Sequence, residues 1–145
     1  MYDFPIKLDR PLAIFDIEST GISPRADRII ELAVIRLEPG VRAPTERYWL
    51  GNPTMPIPPE STAVHGINDE HVKDCPTFAQ VADEIAAFLA DCDLGGYNVL
   101  RFDIPMLSEE FMRAGVNFDV DCRRVLDAQR IFHQKEPRDL SAALR

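Results

Sequence analysis

Residues 12–20 read LAIFDIEST, an apolar run that ends in two acids, Asp16 and Glu18, two positions apart. Side chains of an extended strand alternate faces, so Asp16 and Glu18 project together while Phe15 and Ile17 turn toward apolar packing. Two carboxylates held side by side raise each other's pKa unless a positive charge lies between their oxygens. A hard divalent cation bound by oxygen ligands is the usual solution, and metal chemistry is the first expectation. The alternative is a strand end whose acids only face water. The apolar strand running straight into Ser19-Thr20-Gly21 weighs against it.

Acids on a strand end need a sheet to hold them. After a turn at 21–24, residues 28–37 (RIIELAVIRL) read as a second strand, rich in β-branched side chains. Glu38-Pro39-Gly40 turns the chain, and residues 46–50 (ERYWL) form the third strand of an antiparallel meander. Pro53, Pro56, Pro58 and Pro59 cannot enter a sheet interior and predict an extended surface loop. From Thr77, an N-cap, the period becomes helical: Phe78, Val81, Ile85, Phe88 and Leu89 share one face, and the helix ends near Asp91. Residues 94–99 (LGGYNV) read as a short buried strand, and 104–114 (IPMLSEEFMRA) as a helix stopped by Gly115. A short extended piece around 118–122 leads into a helix over about 124–134, broken before Pro137. A meander followed by alternating helices and strands predicts a mixed α/β layered fold.

The 145 residues suit one domain. Sixteen Lys and Arg against 24 Asp and Glu give a net charge of −8, which argues against holding nucleic acid by bulk attraction. A nucleic-acid enzyme stays open, because cations held by carboxylates can meet phosphate locally. Cys75, Cys92 and Cys122 show no paired CxxC spacing, so neither a disulfide framework nor a zinc ribbon is expected, and a reducing cytosol fits. No apolar run approaches membrane-spanning length and the opening MYDFPIKLDR lacks a signal-peptide core, so a soluble cytoplasmic protein with no membrane partner is expected.

FDIESTG at 15–21, VHGI at 64–67 and GGYNVLRFDIPML at 95–107 together resemble the ordered motifs of the DEDD superfamily of 3′-5′ exonucleases. Within it the similarity is nearest to the proofreading epsilon subunits of bacterial DNA polymerase III and to ribonuclease T, and it extends over nearly the whole chain. The resemblance implies a ribonuclease H-like fold with a five-stranded mixed sheet flanked by helices. It also implies 3′-5′ hydrolysis of single-stranded DNA or RNA to 5′-mononucleotides, and a DNA polymerase as a possible partner. Asp16 and Glu18 match the first motif, whose acids bind the catalytic metals, and Asp103 matches the metal-binding acid of the second. Two ions, Mg²⁺ or Mn²⁺, would then serve phosphodiester hydrolysis. The donor set would not select zinc, for it holds neither thiolates nor a His cluster.

Asp103 also reads, from its surroundings alone, as an ordinary N-cap at the start of an amphipathic helix. Four further groups, read as substrate-binding, carry the same double reading. Thr20 and Gly21 match positions that touch the terminal nucleotide, or simply form a turn. His65, in the HGI element, lines the nucleotide pocket and stacks on a base, or is a loop residue. Asn98 hydrogen-bonds near the site or closes the strand-to-helix turn, and Arg101 contacts phosphate or is an idle surface cation.

The third motif of the family, a His base followed after four residues by an Asp or its Tyr-containing equivalent, is not found. Five positions beyond His133 stands Arg138, and Asp139 falls one place too far, about 100° further round a helix. Residues 138–145 (RDLSAALR) resemble the segment that precedes the missing motif. The expectation is a single exonuclease domain over 1–145, truncated at its C-terminus, of the His-containing branch, without the C-terminal helix and with little activity by itself. Two other classes remain: a non-catalytic nucleic-acid-binding or polymerase-associated module of the same fold, and a haloacid-dehalogenase-type phosphatase, whose DxDxT loop DIEST partly matches.

Overall fold

The structure is a computed structural model and describes residues 7–128. Strands β1 (Leu12–Ser19), β2 (Ile29–Leu37) and β3 (Thr45–Leu50) form the expected antiparallel meander. Strands β4 (Asp93–Gly96) and β5 (Val125–Asp127) add to the other side of β1 in parallel, giving one five-stranded mixed sheet of order β3-β2-β1-β4-β5. β1 is therefore central, and its last turn of acids lies at the carboxyl ends of the parallel strands, where open α/β sheets place their sites.

Helix α3 (Phe78–Phe88) begins with a capping box in which Thr77 accepts from the Gln80 amide and Gln80 accepts from the Thr77 amide at 2.9 Å. It packs with α4 (Ile104–Arg113) on one face of the sheet. Ala13 and Phe15 of β1, Leu32 and Val34 of β2 and Leu94 of β4 meet Ile85, Leu89, Met106, Leu107 and Phe111 there in one buried cluster. Phe111 anchors it, with Phe78 edge-on at 5.1 Å and Phe118 stacked at 4.6 Å between ring centroids. Ile35 and Tyr48 lie exposed on β2 and β3. The ribonuclease H-like fold is thus as expected; the C-terminal helix question falls on residues outside 7–128, as do His133, Arg138 and Asp139.

Four local expectations are corrected. The proline-rich stretch is not all loop: Pro59, with its fixed φ and no amide hydrogen to lose, takes the first position of helix α1 (Pro59–His65). Helix α2 (Asp69–Val72) follows at once, and Ile57 is buried with Ile30 and Val72 in a small second cluster. The strand read over 94–99 stops at Gly96, and residues Val99–Asp103 form a π-helical turn continuous with α4. The residues at 118–122 form no strand; the last strand is instead β5, at the start of the segment read as helix from about Arg124, because Val125 and Leu126 are drawn into register with β4.

Candidate active site

β1 delivers Asp16 and Glu18 from its end, with Asp16 exposed and Glu18 half-buried. Phe15 is buried beneath them and Ile17 packs against the same core, as strand alternation requires. Asp103 arrives from the other direction. The chain leaves β4 at Gly96, turns at Asn98 in the left-handed conformation (φ 59°, ψ 29°), and enters the π-helical turn that ends in Asp103. Gly96 is required here: a Cβ would stand 2.8 Å from the Phe15 carbonyl and 2.5 Å from Val99 Cγ1. Asp103 does not cap a helix. Its backbone is helical and its side chain makes no capping bond, so the N-cap reading is set aside by a helix that already began at Val99.

Only 8 % of Asp103 is exposed. Burial, followed by the like charges of Asp16, Glu18 and Asp127, pushes its carboxyl up to about 7, against a pull from the Ile17 backbone. Glu18 is raised as well, first by burial and then by Asp16, with His65 opposing. Among the described residues, no three His, Cys, Asp or Glu side chains are gathered into a group that could hold a metal ion as they stand. The side chains that act on Asp103 are nonetheless all carboxylates, the donor chemistry of a hard divalent cation. The fit is one of donor type and of charge awaiting neutralisation.

Glu18 and Asp103 line a cavity of about 760 Å³, together with Thr20, Gly21, His65 and Asn98. Asp16 and Tyr97 line an adjoining hollow on the open face of β1 and β2, and Tyr97 borders both. Ile22 and Val64, 78 % and 83 % exposed, form apolar lips on the first cavity. Arg101 is exposed and does not line either hollow.

Thr20, Gly21 and His65 are held in place by turn and helix contacts. The Thr20 hydroxyl is buried; it donates to Asp27 at 2.8 Å and accepts from the Arg28 amide at 3.0 Å. Asp27 also accepts from the Ser23 amide, and its carboxylate lies where a Cβ on Gly21 would come within 2.4 Å, so Gly21 is explained by packing in the turn. His65 Nδ1 accepts from the Ile67 amide at 3.1 Å, which makes Nε2 the protonated nitrogen and the donor to the Ser19 carbonyl at 3.2 Å. With Ser61, which donates to the Thr20 carbonyl at 2.6 Å, it pins α1 to the end of β1, although α1 buries none of its own residues.

A second brace crosses from α4. Buried Glu110 accepts from the Ile29 amide at 2.9 Å and pairs with Arg113 at 3.1 Å, while Arg113 donates to the carbonyls of Pro24, Arg25 and Asp27. The turn that walls the cavity is therefore tied to the helix that follows Asp103. Asp27, Glu110 and Asp127 escape sequence reasoning. Only Glu110 carried a local signal, as the one acid on the apolar face of α4.

A family model described as Exonuclease matches residues 13–143. Over 108 residues, 73 % of this chain and 15 % of the relative, the sequence is 37 % identical to a DNA polymerase III subunit epsilon-like protein of Rhodobacter capsulatus. It is 36 % identical to the DNA polymerase III subunit epsilon of Rickettsia conorii over 98 residues, 67 % of this chain and 42 % of that one. The chain thus spans less than half the length of these relatives. Among solved structures, E. coli exonuclease I in complex with a dT13 oligonucleotide superposes with a TM-score of 0.73 at 20 % identity, covering 88 % of this chain and 30 % of that one. At that identity the likeness speaks for the fold alone.

Proposed function

Because this chain belongs to the DEDD superfamily of 3′-5′ exonucleases, we propose that it hydrolyses the 3′-terminal phosphodiester of single-stranded DNA or RNA, releasing 5′-mononucleotides, with two Mg²⁺ or Mn²⁺ ions held by Asp16, Glu18 and Asp103. One observation carries the reading: a buried aspartate surrounded by like charges, with Glu18 beside it on the wall of the 760 Å³ cavity. A phosphodiester is itself an anion and would be repelled by this wall unless cations came with it. Bound there, such ions would neutralise the developing charge and lower the pKa of an attacking water.

The remaining residues suit a nucleotide. Ile22, Val64 and Tyr97 offer apolar and aromatic surface for a base, and the His65 ring, oriented through both its nitrogens, adds another face. Asn98 and the backbone of Thr20 and Gly21 border the same space, while exposed Arg101 would meet phosphate only further along the strand. A cytoplasmic setting and a polymerase partner are part of the proposal, supported by relatives named as polymerase subunits. That membership sets the phosphatase alternative aside. A catalytically incomplete binding module of the same fold remains the second reading, favoured by the three acids not being closed into a metal-holding group.

The test is a 3′- or 5′-labelled single-stranded oligonucleotide with Mn²⁺, given to this domain joined to a segment that carries a His-x₄-Asp third motif. Stepwise shortening from the 3′ end with release of 5′-mononucleotides, and survival of a circular single strand, is the expected result. Internal cutting of the circle overturns the exonuclease reading. Tight binding of the oligonucleotide without cleavage supports the binding module.

A further inference from the structure

Four acids act on one another at this site, yet they do not stand in the same relation to it. Asp16 and Glu18 project from β1, and Asp103 closes the π-helical turn. Asp127 is the last residue of β5, opposite Gly96 in the parallel register, and only 6 % of it is exposed. Both of its carboxylate oxygens take backbone amides: Asn98 donates to Oδ1 at 2.9 Å and Leu100 to Oδ2 at 3.2 Å.

Those two amides straddle the point where the chain reverses. Asn98 holds a left-handed conformation that a non-glycine residue adopts at a cost, and the first amides of a helical segment have no intrahelical acceptor. A carboxylate that accepts from both satisfies the orphan donors and fixes the left-handed step at once. Asp103 lies five residues beyond Asn98 in the same turn, so the direction of its carboxylate toward Asp16 and Glu18 is set at this step. Gly96, pressed against the Phe15 carbonyl, constrains the turn from the other side.

We propose that Asp127 is a positioning residue for Asp103, aligning it through the amides of Asn98 and Leu100, and is not a fourth metal-binding acid. This rests on the reading of Asp103 as a cation ligand. Groups that orient a ligand from behind typically change metal affinity by about 10–100-fold when removed.

The experiment compares the full 145-residue chain with Asp127→Ala, Asp127→Asn and Asp93→Ala. Asp93 is an equally buried acid at the opposite end of the sheet, where it accepts from Arg124, and controls for loss of a buried structural carboxylate. Mn²⁺ titration calorimetry should show about tenfold weaker binding in Asp127→Ala with unchanged stoichiometry. Asp127→Asn, which keeps one accepting oxygen, should fall in between and carries the comparison if the alanine variant does not fold. Asp93→Ala should lower the melting temperature and leave Mn²⁺ affinity alone. Without metal, hydrogen exchange at Asn98 and Leu100 should accelerate in Asp127→Ala. Fewer Mn²⁺ ions bound by Asp127→Asn would make Asp127 a ligand and overturn the proposal, as would affinity unchanged in both variants. A parent chain that binds no Mn²⁺ would instead overturn the cation-site reading, and the proposal with it.

Discussion

Asp93 and Asp103 are buried to nearly the same degree, 7 % and 8 % exposed, at opposite ends of one sheet. Asp93 accepts from the Arg124 amide and guanidinium at 2.9 Å, with Arg10 at 3.6 Å, and Arg124 also pairs with Asp9. Asp103 has acids where Asp93 has arginines. Burying a charge is costly unless it is paired, and at Asp93 this chain supplies the pairing. At Asp103 the described residues supply repulsion in its place, which supports the proposed cation site. Equal burial thus meets opposite surroundings at the two ends: one carboxylate is paired with arginines, the other is surrounded by its own sign.

The sharpest way to break this contrast is Asp103→Asn. In the domain joined to a third-motif segment it should abolish Mn²⁺-dependent cleavage, a loss on the order of 10³-fold in kcat, while raising the melting temperature by a few degrees because a disfavoured buried charge is removed. Cleavage retained at near-parent rate, or a fall in melting temperature, would dissolve the distinction. Asp93→Asn should do the reverse, leaving cleavage intact and costing about 1–3 kcal/mol, discounted because Arg124 and Arg10 are largely solvated.

pH separates the two ends more gently. Asp103 has a folded pKa raised to about 7 from an ordinary carboxylate value, so between roughly pH 4 and 7 the native state binds more protons than the unfolded one. Stability should therefore fall as pH rises through that window, by about 2–4 kcal/mol without metal. Saturating Mn²⁺ should flatten the slope, and Asp103→Asn should remove most of it; denaturant melts at pH 5.5 and 8 read both. Smallest of all is the exposed pair of Arg47 and Glu84 at 2.8 Å. Arg47→Ala should cost no more than about 1 kcal/mol, part of it from lost packing on Trp49.

What the sequence disclosed follows the strength of its periodicities. Asp16 and Glu18 were legible because a period of two over an eight-residue strand leaves little choice of face, and α3 because Thr77, Gln80 and the apolar stripe agree. Helix α1 was hidden among prolines, since Pro59 breaks helices in most positions but begins them well. β5 has three residues, too few for any period, and becomes a strand only by pairing with β4. Asp127 shared that obscurity, since its partners lie 29 and 27 residues away. Thr20 and Gly21 line the cavity, but their tie to Asp27 depends on how the turn closes.

The π-helical turn at Val99–Asp103 has one more consequence. A π segment is an α-helix carrying one surplus residue, so α4 and its N-terminal extension sit a single deletion away from a regular helix. Removing Leu100 or Arg101 would tighten the hydrogen-bond ladder, yet turn Asp103 by about 100° relative to the anchored start of the turn. The surplus residue behaves as a phase shifter: it sets Asp103 and the core face of Met106, Leu107 and Phe111 together against the anchored start of the turn. A sequence optimised only for helical regularity would delete it, and would turn Asp103 away from β1 together with the apolar face of α4.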